Sequence, residues 1–244
     1  MEKDKQIGAA QSLLLLYPET GLVNSAGNAF HYLGFGYCTG FRKKKEDLKI
    51  AGVEETGYAS GASLIMRAPL LREYGLWEED FFLYHEDLEY SLRMKAQGYK
   101  TVIVKDAIFY HKYAFSRNQQ KFYFMERNRY AVMLMYFKWP TLILLLPMEL
   151  IMEIGLVVFA GMNGWLKERL AVYAYWLSAK NWKNWLVKRA RIQAMRKVGD
   201  RELLRTASGR LVFEEKSIDN PLLKYIANPL MAAYWFVAKR IIFW

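Results

Sequence analysis

The stretch YHEDLEYSLRMKAQG, residues 84–98, decides how the chain is read. Leu88, Leu92 and Ala96 recur at i, i+4 and i+8, which predicts a helix with one stripe packed inward. Gly98 stands where helices commonly end in the left-handed region. Glu86 and Asp87 fall in the first turn, where free N–H groups and the helix dipole favour negative charge. Capping accounts for either acid alone. It does not account for both, because successive helical residues point about 100° apart. Asp87, one position before inward-facing Leu88, is placed to project into a cleft, where a carboxylate serves as general base for a hydroxyl. Glu86 is the second candidate for that role. Glu89 and Arg93 have the i, i+4 spacing of an ion pair on a helix surface.

Working outward, GASLIMRAPLLREYG (61–75) predicts an apolar run over 62–66 and a helix closing at Gly75. On the other side, YKTVIVKDAIFYH (99–111) predicts a strand, a break at Asp106 and a second short strand ending on His111. Strand alternating with helix makes the class α/β. His111 has the chemistry of a neutral metal ligand and equally that of a core histidine. Residues 17–61 are rich in glycine and read as loops and turns. The stretch NSAGNAFHYLGFGYCTG lacks the lysine and the strand-before-helix setting of a phosphate-binding loop. IGAAQSLLLLY (7–17), interrupted by Gln11, is too weak for a signal peptide and reads as a helix or strand joining the core.

The charge is uneven along the 244 residues, which total +11. Residues 1–111 carry 13 basic and 15 acidic side chains; residues 112–244 carry 22 and 9. The basic part is also rich in Trp, Tyr and Leu, which points to an anionic membrane surface and not to nucleic acid, for which no binding module is present. The single cysteine, Cys38, excludes an intrachain disulfide and a multi-cysteine zinc site. Residues 139–166 form the longest apolar stretch, beyond the roughly 20 residues a spanning helix needs. Pro147, Glu149 and Glu153 interrupt it, so a spanning helix and a pair of helices lying in the interface both fit. Residues 175–197 interleave Trp with Lys and Arg, as interfacial helices do, and 229–244 repeat the pattern. A soluble helical bundle is the alternative for this whole part.

The residues from Gly57 to His111 carry a resemblance. Gly61, Ala62, Arg67, Gly75, Leu76, Trp77, Glu79, Phe81, Phe82, Tyr84, Glu86, Asp87, Glu89, Arg93, Gly98, Tyr99 and His111 occur in the order and spacing of a family 2 glycosyltransferase with a GT-A fold, of the rhamnosyltransferase-like kind. NSAGNAFHYLGFGY and YFMERNRYAVMLMY resemble stretches flanking that motif, so the likeness covers about residues 5–135. It implies a partial GT-A (Rossmann-like) layer, 1–130, forming the acceptor-side half of the domain. A mainly helical, membrane-associated region, 131–244, would follow on the cytoplasmic face of the membrane. It implies an inverting transfer from a nucleotide-sugar donor to a glycan or lipid-linked acceptor in cell-surface polysaccharide synthesis. By the same likeness Asp87 is the catalytic base, with Glu86 beside it, and His111 is a ligand of Mg²⁺ or Mn²⁺. Gly61 and Ala62 would let the backbone approach a substrate, Arg67 would belong to the same substrate-binding set, and Arg93 would touch a phosphate or pair within its own helix.

Such enzymes place an Asp-x-Asp motif in an amino-terminal nucleotide-binding half, and this sequence contains none; its nearest forms begin at Asp87 and Asp200. The expectation is therefore a chain started late or truncated, one completed by a second chain, or one that no longer catalyses. The rival function is a non-catalytic, membrane-associated protein that binds anionic lipid or a lipid-linked glycan.

Overall fold

The apolar run at the amino terminus is a strand, β1 (Ile7–Leu16), buried along almost its whole length. A computed structural model describes residues 1–112, 119–212 and 221–244. β1 lies parallel to β7 (Lys100–His111) in the middle of a sheet. A parallel strand covered on both faces needs no polar alternation, which is why the run gives no period of two. On the far edge of β7, β5 (Val53–Glu55) pairs antiparallel. Two short strands share the other edge of β1. β6 (Leu64–Met66) pairs opposite Ala9, Ala10 and Gln11, and β2 (Val23–Ser25) opposite Leu14 and Leu15. A separate hairpin joins β3 (Asn28–Phe30) to β4 (Gly36–Cys38). The glycine-rich stretch 17–61 is thus more than turns: it holds strands of three residues, too short for alternation to show.

The break foreseen at Asp106 is a bulge inside one continuous strand. Ser12 pairs with Val104 and Leu13 already with Ile108, so residues 105–107 have no partner on β1.

The helices are α1 (Ala68–Tyr74), α2 (Glu86–Ala96), α3 (Gln119–Tyr136), α4 (Trp139–Met162), α5 (Leu166–Leu177), α6 (Ala179–Met195), the short α7 (Asp200–Leu203) and α8 (Asn228–Ile241). Gly75 (φ 90) and Gly98 (φ 87) end α1 and α2 in conformations that glycine adopts freely. Residues 139–166 are one long helix and a turn at Gly164, not a pair of helices. The molecule is mixed α/β with a mainly helical carboxy-terminal part.

One apolar core joins the two parts. Phe30, Tyr32 and Leu33 meet Phe81, Leu88 and Leu92, the inner face of α3, Leu145 and Met148 of α4, Trp185 of α6 and Trp235 of α8. Tyr32 stacks on Trp235 with ring centres 4.8 Å apart. Residue 130, the expected boundary, falls inside α3, and the core runs across it.

The acids that interrupt the apolar stretch have buried partners. Arg129 of α3, fully buried, bonds Glu149 (2.6 Å) and Glu153 (2.7 Å) of α4, Glu126 of its own helix (3.1 Å) and the carbonyl of Leu33 (3.0 Å). Arg169 of α5 pairs with Glu126 and Glu153. Buried charges persist where they are paired and hydrogen-bonded in this way.

Candidate active site at the start of α2

The segment leading into α2 is backbone-strained. Phe82 (φ 57), Tyr84 (φ 65) and His85 (φ 66) occupy the left-handed region without being glycine. Each such residue costs roughly 1–2 kcal/mol, and strain of this kind collects at functional sites. The segment is held from α3. Asn128 Nδ2 reaches the carbonyls of Phe81 (2.8 Å), Leu83 (2.9 Å) and Tyr84 (2.7 Å). Arg127 Nη2 donates to the carbonyls of Asp80 and Phe81. From the other side the buried His85 ring bonds the carbonyl of Gly34 through Nε2 (3.1 Å), and burial lowers its pKa to about 4. It is a neutral donor that pins the entry to the helix.

Asp87 follows two residues later. Its Oδ2 accepts from the Gly61 N–H (3.2 Å) and its Oδ1 from the Leu88 N–H (2.8 Å). Desolvation raises its pKa to about 7; the neighbouring Glu86 charge adds to the rise, and the backbone N–H groups oppose it. A carboxyl at about 7 is partly ionised at neutral pH and can take a proton from a hydroxyl. Glu86 is half-buried, burial raises its pKa, and its Oε2 has no hydrogen-bond partner among the described residues. A buried acceptor left open beside Asp87 is the kind of group a bound hydroxyl satisfies.

Gly61 is exposed and touches the acid directly through its N–H, so the structure brings Gly61 and Asp87 together. Ala62 lies next to it, its N–H bonded to the Ser60 hydroxyl. The loop is positioned from below by Gln11, which the sequence presents only as an interruption of an apolar run. Gln11 is buried, accepts the Ser60 N–H with Oε1 (2.8 Å) and donates to the Ser25 hydroxyl (3.1 Å). A lone amide inside a buried strand was the available signal. Asn128 is likewise a positioning residue whose target appears only in three dimensions.

Arg93 and Arg67 stand elsewhere. All five N–H donors of Arg93 are engaged, by the Glu89 carboxylate and by the carbonyls of Tyr74 and Leu76. Arg93 is therefore a buried tie between α2 and the end of α1, with no donor left for a phosphate. Glu89 is fully buried as well and also accepts from the Tyr136 hydroxyl, so the pair is interior and not on the helix surface. The reason is that Tyr136 of α3 packs over that side of α2. Arg67 binds the carbonyls of Met1, Asp4 and Ile7, which ties down the amino terminus.

His111 bonds Asn24 Oδ1 through Nδ1 (2.9 Å), and partial burial lowers its pKa. The register sets it opposite Leu16, five positions beyond Gln11 on β1, or roughly 16 Å of strand. No three His, Cys, Asp or Glu side chains converge among the described residues. One imidazole with one amide oxygen is not the oxygen-rich set that Mg²⁺ or Mn²⁺ takes. The residues present do not by themselves fit the metal, and no step below runs through it.

No protein-family model matches the chain, and no curated protein is significantly similar to it.

Proposed function

We propose that the chain is an inverting glycosyltransferase, or the acceptor-side part of one, with a partial GT-A layer as its α/β portion. It moves a sugar from a nucleotide-sugar donor to a glycan or lipid-linked acceptor of cell-surface polysaccharide, at the cytoplasmic face of a membrane. The observation that carries this reading is Asp87: a carboxyl near pH 7, bonded to a loop N–H and approached by a strained segment that α3 clamps. In the reaction Asp87 takes the proton of the acceptor hydroxyl. The hydroxyl oxygen bonds the anomeric carbon from the face opposite the nucleotide. The bond from that carbon to the diphosphate breaks, its electron pair leaves on the diphosphate oxygen, and configuration inverts.

The sequence has no Asp-x-Asp, so the nucleotide-binding half is assigned to further polypeptide, in the same or a second chain. One edge of the sheet can receive it. β6 pairs only with β1 among the described residues, and Ile65 is 62% exposed. Ligands for Mg²⁺ or Mn²⁺ beyond His111 would come from the same source.

The test is transfer of labelled sugar from a panel of nucleotide sugars to lipid-extractable acceptor in membranes holding the chain with and without its completing half. Turnover is expected only in the completed enzyme, and Asp87→Asn should abolish it. Robust turnover by these 244 residues alone would remove the completing half from the proposal. The outward apolar face of α4 also suits a non-catalytic binder of anionic lipid or lipid-linked glycan. Retained lipid binding with no transfer in the completed protein would select that second reading.

A further inference from the structure

α4 has two faces of opposite character. Every exposed position along it carries an apolar side chain or a glycine, with Ile143 and Ile154 each 68% and Met162 81% exposed. A helix lying on a water-soluble domain is charged on that side. At 24 residues the helix is about 36 Å long, so the bare face is far larger than a stray surface leucine. The two helices that flank it also expose apolar side chains. α8 is tied to α4 by Trp244 Nε1 on Thr141 Oγ1 (2.8 Å) and by the Tyr234 hydroxyl on the Leu144 carbonyl, and it exposes Phe236 and Val237. α5, tied through Arg169 and Glu153, exposes Leu170 and Leu177. Where α5 meets α6, an open groove of about 660 Å³ is lined by Leu177, Trp182, Leu186 and Val187.

The exposed charges on these helices have one sign. Lys167, Lys180, Lys183, Arg191, Lys239 and Arg240 are exposed, while no acidic side chain of α4, α5, α6 or α8 is. Exposed apolar surface on helices whose exposed charges are all positive matches a layer of acyl chains beneath anionic headgroups.

The inner face of α4 determines its orientation. Leu145 and Met148, at its middle, pack in the same core as Tyr32 and Leu33, and Glu149 shares Arg129 with the Leu33 carbonyl. A bilayer-crossing helix has its middle at the centre of the hydrocarbon. Here that would carry the β3–β4 hairpin, a two-stranded sheet and neither helix nor closed barrel, to that depth too, a placement the bilayer does not tolerate. Resting on the membrane reading above, we infer that α4 does not cross: it lies in the plane of the membrane, flanked by α5 and α8, and docks the molecule on one anionic leaflet.

The test uses the full chain made in a cell-free reaction with sealed vesicles, either pure phosphatidylcholine or phosphatidylcholine with phosphatidylglycerol. Flotation is expected with both and at least about tenfold stronger with the anionic vesicles. Paired substitution Leu150→Glu and Ile154→Glu should remove flotation and leave the circular dichroism unchanged. For orientation, Lys138→Cys and Asn163→Cys, each alone in a Cys38→Ser background, flank α4. A membrane-impermeant maleimide outside the vesicles should label both to the same extent. Strong flotation with one of the two ends protected would overturn the in-plane inference and leave the membrane reading standing. No flotation, or a vesicle-free dimer that the double Glu variant splits, would overturn both and make the face a protein interface. Unchanged flotation of a folded double Glu variant would exclude this face as the docking surface.

Discussion

The sheet around β1 and the helices around α4 are built on opposite plans. In the sheet, Leu13, Leu14 and Leu15 are buried and the polar machinery at Asp87 and Gly61 lies toward the surface. In the helices, Arg129, Glu149 and Arg169 are inside and Ile143, Ile154 and Met162 are outside. Water-soluble proteins follow the first plan. An ion-pair cluster gathered behind an apolar face is what the docking proposed for α4 would require, since lipid does not solvate charge. The comparison teaches that the acids in the apolar stretch are interior ties and not interruptions. It also separates two kinds of carboxylate in the chain: Glu149 and Glu153, which face a buried arginine, and Glu86 and Asp87, which pair with no cation among the described residues.

The largest effect is expected where the inverted plan is broken. Arg129→Met strips Glu149 of its ion pair and removes one partner each from Glu126 and Glu153. Breaking one buried pair costs about 3–5 kcal/mol, so the variant is expected not to accumulate as folded protein. Arg42→Ala is the contrast. Its pair with Glu19 is about half exposed, and no loss that urea denaturation would resolve is expected. Yield and urea denaturation of the two variants check this; equal losses would show that the cluster is not the tie described.

Next comes the carboxylate that has no cation beside it. Asp87→Asn should lower transfer by about 10² to 10⁴ with donor binding nearly intact, as for loss of a general base. It should also change stability in the opposite direction. The folded pKa of Asp87, about 7, is above the ordinary value near 3.9. The folded state therefore holds a proton that the unfolded chain releases. That contribution is whole below about pH 4 and is lost as pH rises through about 7. The asparagine variant lacks this dependence, so it should gain on the parent between pH 5.5 and pH 8 in urea denaturation. A parent whose stability relative to the variant does not fall over that range would remove the raised pKa from the account.

What could be read from the sequence follows the range of the forces involved. Leu88, Leu92 and Ala96 are all buried as their spacing predicts, and Gly75 and Gly98 end their helices. These are local signals, set within one or two turns. The strands between residues 17 and 61 are three residues long, too short for alternation to show, and β5 is held by β7, far along the chain, so no local pattern marks them. Arg93 looked like a surface partner or a phosphate contact because nothing near it reveals that Tyr136 covers the helix. Glu149 and Glu153 looked costly because their arginine lies 20 and 24 residues away on another helix. The acid pair at the candidate site was legible by residue type. The roles of Gln11 and Asn128 in placing it were not, since an amide in a strand or a helix does not say what it will hold.

Asn128→Ala should act between the two plans, since α3 carries both the clamp on 82–85 and the buried arginine. It leaves the part-buried carbonyls of Leu83 and Tyr84 without this donor, a loss of about 1 kcal/mol, as for a typical net hydrogen bond. If the clamp serves Asp87, the rate should fall with donor KM unchanged, and the acid limb of the pH–rate profile should move. A loss of stability with an unmoved profile would make Asn128 a structural residue only.

The smallest expected change in stability tests the surface of the site itself. A methyl group added at Gly61 would meet only Asp87 Cβ, at 3.8 Å, an ordinary contact, and its backbone is not in the left-handed region. Gly61→Ala should therefore stay within about 0.5 kcal/mol of the parent, as surface changes do. Ser60, tied to Gln11, keeps the loop in place, so the N–H bond to Asp87 should survive. The methyl group would nonetheless occupy the space in which a sugar approaches the backbone beside the acid. In the completed enzyme, KM for the acceptor should rise while the pH–rate profile stays put, because the carboxyl keeps its environment. The ratio of the two effects is the informative quantity. A variant as stable as the parent and as active would show that substrate does not pass over Gly61, and would leave Asp87 reached from the side of Glu86.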